Sequence, residues 1–148
     1  MKSNELPLFK PMNRGMPEPQ GLPLLRLGFR PFYLGGALLA AVIVPLWIAL
    51  FLGQMQLATS VPPLLWHAHE MLFGFAVSII VGFLLTAGKN WTGLATSRGP
   101  ALGALALIWL SARVTAVVGP YPLYMVLDMA LLPLVAGVLV NILLRSRN

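Results

Sequence analysis

Four long apolar runs, separated by short polar or proline-containing stretches, dominate the chain after residue 31. Each run is long enough to cross a bilayer as a helix, which takes about 20 apolar residues. A membrane β-barrel would show alternating polar and apolar positions, and these runs do not alternate. The pattern predicts an all-α, polytopic membrane protein built as a bundle of four transmembrane helices. The predicted spans are residues 32–53, 64–88, 101–119 and 122–144.

Basic residues mark the ends of these runs and predict how the bundle is oriented. Apart from Arg113, every lysine and arginine precedes the first run, lies between the second and third, or follows the fourth. The other two connections contain none. Since cytoplasmic loops of membrane proteins are enriched in lysine and arginine, both termini are expected in the cytoplasm.

The composition supports this assignment and narrows the chemistry. The 148 residues are 58% hydrophobic and only 9% charged, whereas ordinary soluble domains are about 25% charged. The net charge of +6 does not indicate nucleic acid, because the basic residues form no aromatic-interleaved patch. The lipid bilayer is the expected partner. The absence of cysteine excludes disulfides, thiolate ligands and iron–sulfur clusters, and leaves nitrogen, oxygen and thioether ligands.

The segment before the first span is predicted to be separate from the bundle. Residues 1–23 contain several prolines and scattered charges, which predicts a flexible cytoplasmic tail, and residues 24–148 form the four-span domain. The stretch 24–31 mixes apolar anchors with Arg26 and Arg30 and fits the membrane surface. For these arginines, extension of the side chain to the interface is favoured over binding of a phosphate or a haem propionate.

The polar start of the second span holds both histidines and one of the four acidic residues. On a regular helix, residues three and four apart share a face, so His67 is expected beside Glu70. That face continues through small residues, which let another helix approach closely and so turn the face toward protein. These residues are Gly74, Ser78 and Gly82.

His69 is expected on the other side of this helix. It lies roughly 200° around the axis from His67, at about 100° per residue, so the two imidazoles cannot bind one metal ion from a regular helix. Imidazole suits copper and haem iron alike, and both histidines are candidate cofactor and metal ligands. A functional role is favoured over an interhelical hydrogen bond for His67 with Glu70, while for His69 ligation and a structural role stay open. Thioether ligation of copper is possible but less favoured than packing for Met71, Met125 and Met129.

Two further ionisable residues fall inside predicted spans, Arg113 in the third and Asp128 in the fourth. Both lie about six residues, roughly 9 Å, below the same outer surface at 1.5 Å per residue. His67, His69 and Glu70 enter from that surface, so the five polar residues are predicted to form one layer in the outer leaflet. Arg113 and Asp128 are expected to form a structural ion pair, which can also orient a ligand or a ligating histidine.

Several blocks of the chain, spread over residues 24 to 148, resemble the NnrS family. The first is Leu25-Arg26-Leu27-Gly28-Phe29-Arg30-Pro31-Phe32, and the second is Leu65-Trp66-His67-Ala68-His69-Glu70-Met71-Leu72-Phe73-Gly74-Phe75. The third is Gly82-Phe83-Leu84-Leu85-Thr86-Ala87, followed by Asn90-Trp91-Thr92-Gly93. Arg113 and the stretch from Asp128 to Leu134 continue the resemblance in order.

The resemblance implies a multi-pass protein of the bacterial inner membrane that is produced in the nitric oxide response and contains haem and copper. It implies a contribution to tolerance of nitrosative stress, with nitric oxide as a ligand, more than it implies a particular reaction. Members of the family are similar to this chain only in their first part and continue through further spans with additional histidines. A metal site shared with those C-terminal helices, or with another copy in a homo-oligomer, would be incomplete in this chain.

The hypothesis from sequence is therefore an NnrS-like four-span module. His67 and His69 are its candidate haem or copper ligands, and Glu70, Arg113 and Asp128 form the supporting polar layer. One rival is a small proton-coupled transporter that uses Glu70, since four-span exporters with one membrane carboxylate have about this length. The other rival is a non-catalytic membrane assembly subunit, in which the polar layer only joins helices.

Overall fold

Four long helices make up most of the computed structural model, which describes residues 21–56 and 61–147. All four are long and apolar enough to cross a membrane. They are α1 (Phe29–Phe51), α2 (Pro63–Thr92), α3 (Gly99–Val118) and α4 (Tyr121–Ser146). The all-α prediction with four spans is confirmed, and the chain is a multi-pass membrane protein. Of the predicted tail 1–23, residues 1–20 lie outside the described part.

Prolines and glycines set the ends of the helices. Proline occupies the first or second position of α2, α3 and α4, where its missing N–H would be unpaired in any case. The end of α2 differs from the predicted span 64–88, because the helix does not stop at Gly88 and continues through Thr92. The Thr92 hydroxyl donates to the Gly88 carbonyl, and Gly93, with a φ of 70°, closes the helix in the left-handed conformation.

The second helix is not a regular α-helix throughout. It begins as α-helix over Pro63–His69, continues as π-helix over Glu70–Ala76 and returns to α-helix over Val77–Thr92. A π-helix fits more residues into each turn than an α-helix and often occurs at functional sites. Residues spaced four apart therefore drift less around the axis here, which keeps one buried side continuous. The buried residues on that side are Glu70, Gly74, Ser78 and Gly82.

The hydrophobic core lies below this polar segment, between all four helices. Its members are Phe32 of α1, Val81 and Leu85 of α2, Leu102, Leu105 and Trp109 of α3, and Leu131 and Val135 of α4. Close approach depends on small residues, as predicted for this face of α2. A Cβ added at Gly82 would come within 2.8 Å of the Tyr33 ring, and one at Gly28 within 2.7 Å of the Leu85 Cβ.

The segment before α1 forms a short 3-10 helix over Pro23–Leu25. Two arginines hold it against the start of α1. Arg26 donates from Nε and Nη2 to the Gly21 carbonyl at 3.2 and 3.0 Å, and Arg30 donates to the Pro23 carbonyl at 2.8 Å. Both side chains thus satisfy backbone acceptors next to the first span.

Candidate functional site

Arg113 lies at the centre of a polar cluster that joins three helices. Its Nη1 donates to Glu70 Oε2 of α2 at 3.1 Å, and its Nη2 donates to Asp128 Oδ1 of α4. All three side chains are buried, with at most 6% of their surface exposed. The ion pair predicted between Arg113 and Asp128 is present, and Glu70 is a second partner of the same guanidinium. Each helix that contributes a charge is therefore cross-linked to the others.

His69 completes this cluster from the side of α2 that faces α4. Its Nε2 lies 3.2 Å from Asp128 Oδ2, and its Nδ1 lies 2.6 Å from the Tyr124 hydroxyl and 3.8 Å from Glu70 Oε1. If Nε2 carries the proton and donates it to Asp128, Nδ1 can accept the hydrogen bond from Tyr124. The ring also stacks on Phe73, with centroids 4.6 Å apart. The imidazole is thus fixed on both nitrogens and on one face.

His67 points to a different neighbour. Its ring stacks on Trp47 of α1 at a centroid distance of 4.5 Å and an interplanar angle of 10°. Its Nδ1 is buried and has no hydrogen-bond partner within residues 21–56 and 61–147. The sequence predicts that His67 lies beside Glu70 and that His69 lies on the other side of the helix. The structure differs, because it is His69 that contacts Glu70. The long side chains of His69 and Glu70 converge on Asp128 and Arg113 from adjacent helix positions, while His67 is turned toward α1.

The formal charges of the cluster do not cancel when His69 is neutral. With Glu70 and Asp128 ionised, two negative charges face the single positive charge of Arg113. A proton on His69, which contacts both carboxylates, would bring the sum to zero. Because such charges are costly inside a membrane unless they are paired, the cluster as a whole is suited to take up one positive charge.

A cavity of about 350 Å³ lies against this cluster, between α2, α3 and α4. His69, Tyr124 and Asp128 form its polar end. The thioether side chains of Met125 and Met129 line the same cavity, whereas Met71 does not. The structure therefore brings two of the three candidate methionines to the space beside His69.

The side chains of the cluster do not by themselves form a complete metal site. Within the described residues, no group of three or more His, Asp and Glu side chains is arranged to hold a metal ion. His67 and His69 contact different helices, as their two-residue spacing predicts, and do not converge on one position. What this part of the chain offers a metal or a haem is one oriented imidazole at His69, with carboxylates around it and thioethers nearby.

Two aromatic residues of the site were not identified from the sequence. Tyr124 lies four residues before Asp128 and so on the same face of α4, a spacing that could have revealed it. Trp109 of α3 donates from Nε1 to the Gly74 carbonyl at 3.0 Å, in the π-helical segment. No sequence pattern points to that bond, because it depends on how α3 lies against α2.

Comparison with known proteins places the chain by family. The family model described as NnrS protein matches residues 23–148, which include all four helices and the polar cluster. No curated protein and no solved structure matches the chain. The matched region takes in the three sequence blocks and both ionisable residues of the last two spans. On this match, the chain belongs to the NnrS family.

Proposed function

We propose that this chain is a bacterial inner-membrane protein of the nitric oxide and nitrosative stress response, in which His69 serves a haem or copper site in the outer leaflet. The observation that carries the proposal is the network in which the half-buried His69 lies 3.2 Å from Asp128, and buried Arg113 links Asp128 to Glu70. Histidines that bind metals almost always donate their other ring N–H to a carboxylate or carbonyl, which fixes the ring. His69 already has that partner.

The residues around His69 could supply some of the ligands of a metal, and the structure indicates which atoms these are. With Nε2–H directed to Asp128, Nδ1 is the ligating atom, and the Tyr124 hydroxyl that lies 2.6 Å from it is the group to be replaced. Imidazole with the thioethers of Met125 and Met129 is a donor set that would suit copper, and imidazole alone would suit haem iron. The bound metal would supply an open coordination position for nitric oxide. The chain's own part is to orient one imidazole and to keep charge balanced around it.

His67 is proposed to serve a separate centre. Its Nδ1 is buried and unpartnered within the described residues, and its ring lies flat against Trp47. A second ligand for that centre would come from another copy of the chain or from further helices such as other members of the family carry. His67 and His69 would then act on two cofactors, which agrees with the presence of both haem and copper implied by the resemblance.

The test is spectroscopic and uses the purified, detergent-solubilised protein. Iron, copper and the oxidised and reduced absorption spectra are measured with and without nitric oxide, for the parent chain, His67→Ala, His69→Ala and Asp128→Asn. We expect His67→Ala and His69→Ala to lose different cofactors, so that one variant loses iron and the haem absorption and the other loses copper. Asp128→Asn should weaken metal binding by about 10- to 100-fold. Exposed Arg98, replaced by Met, is the matched control. Unchanged iron and copper in both histidine variants would remove the proposal.

The rival function of a proton-coupled transporter is less consistent with the cluster. Its essential carboxylate, Glu70, is 1% exposed and is held by Arg113 at 3.1 Å. A carboxylate that exchanges protons during transport must be released from such a counter-charge in each cycle. An assembly role would need only the contacts by which Arg113 joins the three helices. It predicts that the purified chain contains no iron or copper and is nevertheless folded and stable.

A further inference from the structure

A second cavity lies at the opposite end of the bundle from the polar cluster. Its volume is about 390 Å³, and it lies between the connection from α2 to α3 and the C-terminal half of α4. Arg145 lines it and lies roughly 25 Å along α4 from Asp128, at 1.5 Å per residue. Ligand pockets typically have volumes of about 300–1,000 Å³. The cavity is therefore large enough for a ligand and is separate from the proposed metal site.

The polar side chains that line this second cavity can all donate hydrogen bonds. They are the hydroxyls of Thr96 and Ser97, the amide of Asn141 and the guanidinium of Arg145. None of the four is hydrogen-bonded or ion-paired to another residue that the structure describes. Among the described residues, no acidic side chain contributes to the lining. The lining therefore suits an anion that has several acceptor oxygens.

Thr96 is the most deeply buried of these polar residues, with 8% of its surface exposed. Its methyl group packs toward α2, where a Cβ added at Gly88 would lie 3.4 Å from Thr96 Cγ2. Its hydroxyl has no hydrogen-bond partner in the described chain, but it is not fully enclosed by protein. Since Thr96 lines the cavity, the open side of the hydroxyl faces the cavity. A buried hydroxyl without a partner costs free energy, and a bound acceptor would remove that cost.

The end of the bundle that contains this cavity is strongly basic. All described lysines and arginines except Arg113 lie there, whereas both described acidic residues belong to the polar cluster at the other end. The basic residues are Arg26, Arg30, Lys89, Arg98, Arg145 and Arg147. No carboxylate of the described chain can therefore neutralise Arg145. Anionic lipids attract basic residues at a membrane surface and would supply the missing negative charge.

The cavity lies where a membrane surface is expected. Trp91, at the same end of α2, is 67% exposed, and tryptophan is enriched at the level of the lipid head groups. Leu144, which precedes Arg145, is 59% exposed and would contact lipid chains. The cavity itself has an apolar part, formed by Leu94, Val138 and Ile142. A ligand with a phosphate group and an apolar body, such as a phospholipid, fits this position.

We propose that this cavity binds the phosphate group of an anionic phospholipid, of which phosphatidylglycerol is a simple example. Arg145 pairs with the phosphate, and the Thr96 hydroxyl donates to one of its oxygens. Basic pockets between membrane helices bind anionic head groups in this way. A zwitterionic lipid also has a phosphate, but its cationic group would add positive charge to an end that is already basic. The inference does not depend on the proposed metal site, because none of these groups belongs to the polar cluster.

The experiment is native mass spectrometry of the full purified chain in detergent, titrated with phosphatidylglycerol or phosphatidylcholine. Arg145→Gln should bind phosphatidylglycerol about 10-fold more weakly, because it loses a charged hydrogen-bond donor. Thr96→Val keeps the shape of the side chain, loses the hydroxyl and should bind about 3- to 10-fold more weakly. Arg147→Gln is the matched control. It removes the same charge from the same end of α4, but Arg147 is exposed and does not line the cavity, so the affinity should change less than about 2-fold.

Circular dichroism and gel filtration establish that each variant is folded, and Arg145→Gln tests the cavity independently if Thr96→Val is not. A preference for phosphatidylglycerol that weakens in both cavity variants and persists in Arg147→Gln supports the proposal. Equal affinity for the two lipids, or an equal loss in Arg145→Gln and Arg147→Gln, overturns it by showing that lipids respond only to surface charge. Glycerol phosphate is the soluble competitor. Displacement of the lipid by an equal concentration of glycerol phosphate would show that the cavity takes its phosphate from water and would overturn the assignment to lipid.

Discussion

Replacing Arg113 by Met should destabilise the bundle far more than the loss of an exposed arginine. The substitution keeps most of the apolar stem and removes the guanidinium, which leaves Glu70 and Asp128 buried without their shared counter-charge. Among the residues that the structure describes, His69 remains in contact with both carboxylates and could offset part of their charge. The change therefore isolates the electrostatic role of one side chain in a layer that three helices share.

The magnitude follows from the geometry. Two unit charges 4 Å apart attract by about 4 kcal/mol at an effective dielectric constant near 20, and part of this gain is offset by the cost of burial. Removing one partner of a buried pair typically costs about 3–5 kcal/mol. Folded proteins are stable by only about 5–15 kcal/mol. Arg113→Met should therefore lose a large share of the free energy of unfolding.

The assay is equilibrium unfolding in mixed micelles with increasing dodecyl sulfate, followed by circular dichroism. Exposed Arg98→Met is the matched control and should stay within about 0.5 kcal/mol of the parent. The triple variant Glu70→Gln, Arg113→Met, Asp128→Asn removes all three charges and should recover most of the loss. A loss below about 1 kcal/mol for Arg113→Met, or no recovery in the triple variant, would refute the argument from uncompensated charge.

Two further substitutions test packing around α2. Gly28→Ala should cost about 1–3 kcal/mol, because its Cβ would lie 2.7 Å from the Leu85 Cβ and force the helices apart. Gly137→Ala is the control, because no other helix or loop of the described chain comes within 4 Å of the added Cβ, and it should be neutral or slightly stabilising in the same unfolding assay. Trp109→Phe should cost about 1 kcal/mol for the lost hydrogen bond to the Gly74 carbonyl, and an unchanged unfolding midpoint would show that this bond contributes nothing.

The helices and the pairing of Arg113 with Asp128 could be predicted from the sequence, because both follow from the length of the apolar runs and the depth of a residue within them. The length of an apolar run predicts a span, and counting residues from the connection between α3 and α4 places Arg113 and Asp128 at one depth. The depth argument holds in the structure for Glu70, which contacts the same guanidinium. It says which residues share a layer and leaves open which of them face one another.

The roles of the two histidines could not be predicted, because they depend on the phase of α2 and on its neighbours. A regular helix puts His67 on the side of Glu70, whereas the structure pairs His69 with Asp128 and Tyr124. Proximity to α4 decides this pairing, and no short-range pattern encodes it. The same holds for the end of α2, where buried Gly88 resembles a stop signal but lies within the helix, with Leu139 and Thr96 as its neighbours.

The π-helical segment Glu70–Ala76 changes the angle between the N-terminal and C-terminal ends of α2, compared with a regular α-helix of the same number of residues. The N-terminal end places His69 beside Tyr124 of α4, and the C-terminal end places Leu85 in the hydrophobic core. A wide turn of this kind is equivalent to one extra residue accommodated within an α-helix. Because the wide turn absorbs that residue, deleting it would let α2 close as a regular helix with little change in the angle between its ends. Deleting a residue from the regular segment Val77–Thr92, between His69 and the core residues, would instead turn the N-terminal end by about 100° relative to the core and separate His69 from Asp128, although every side chain of the site would still be present. The site therefore depends on where along α2 a residue is gained or lost as much as on the identity of its residues.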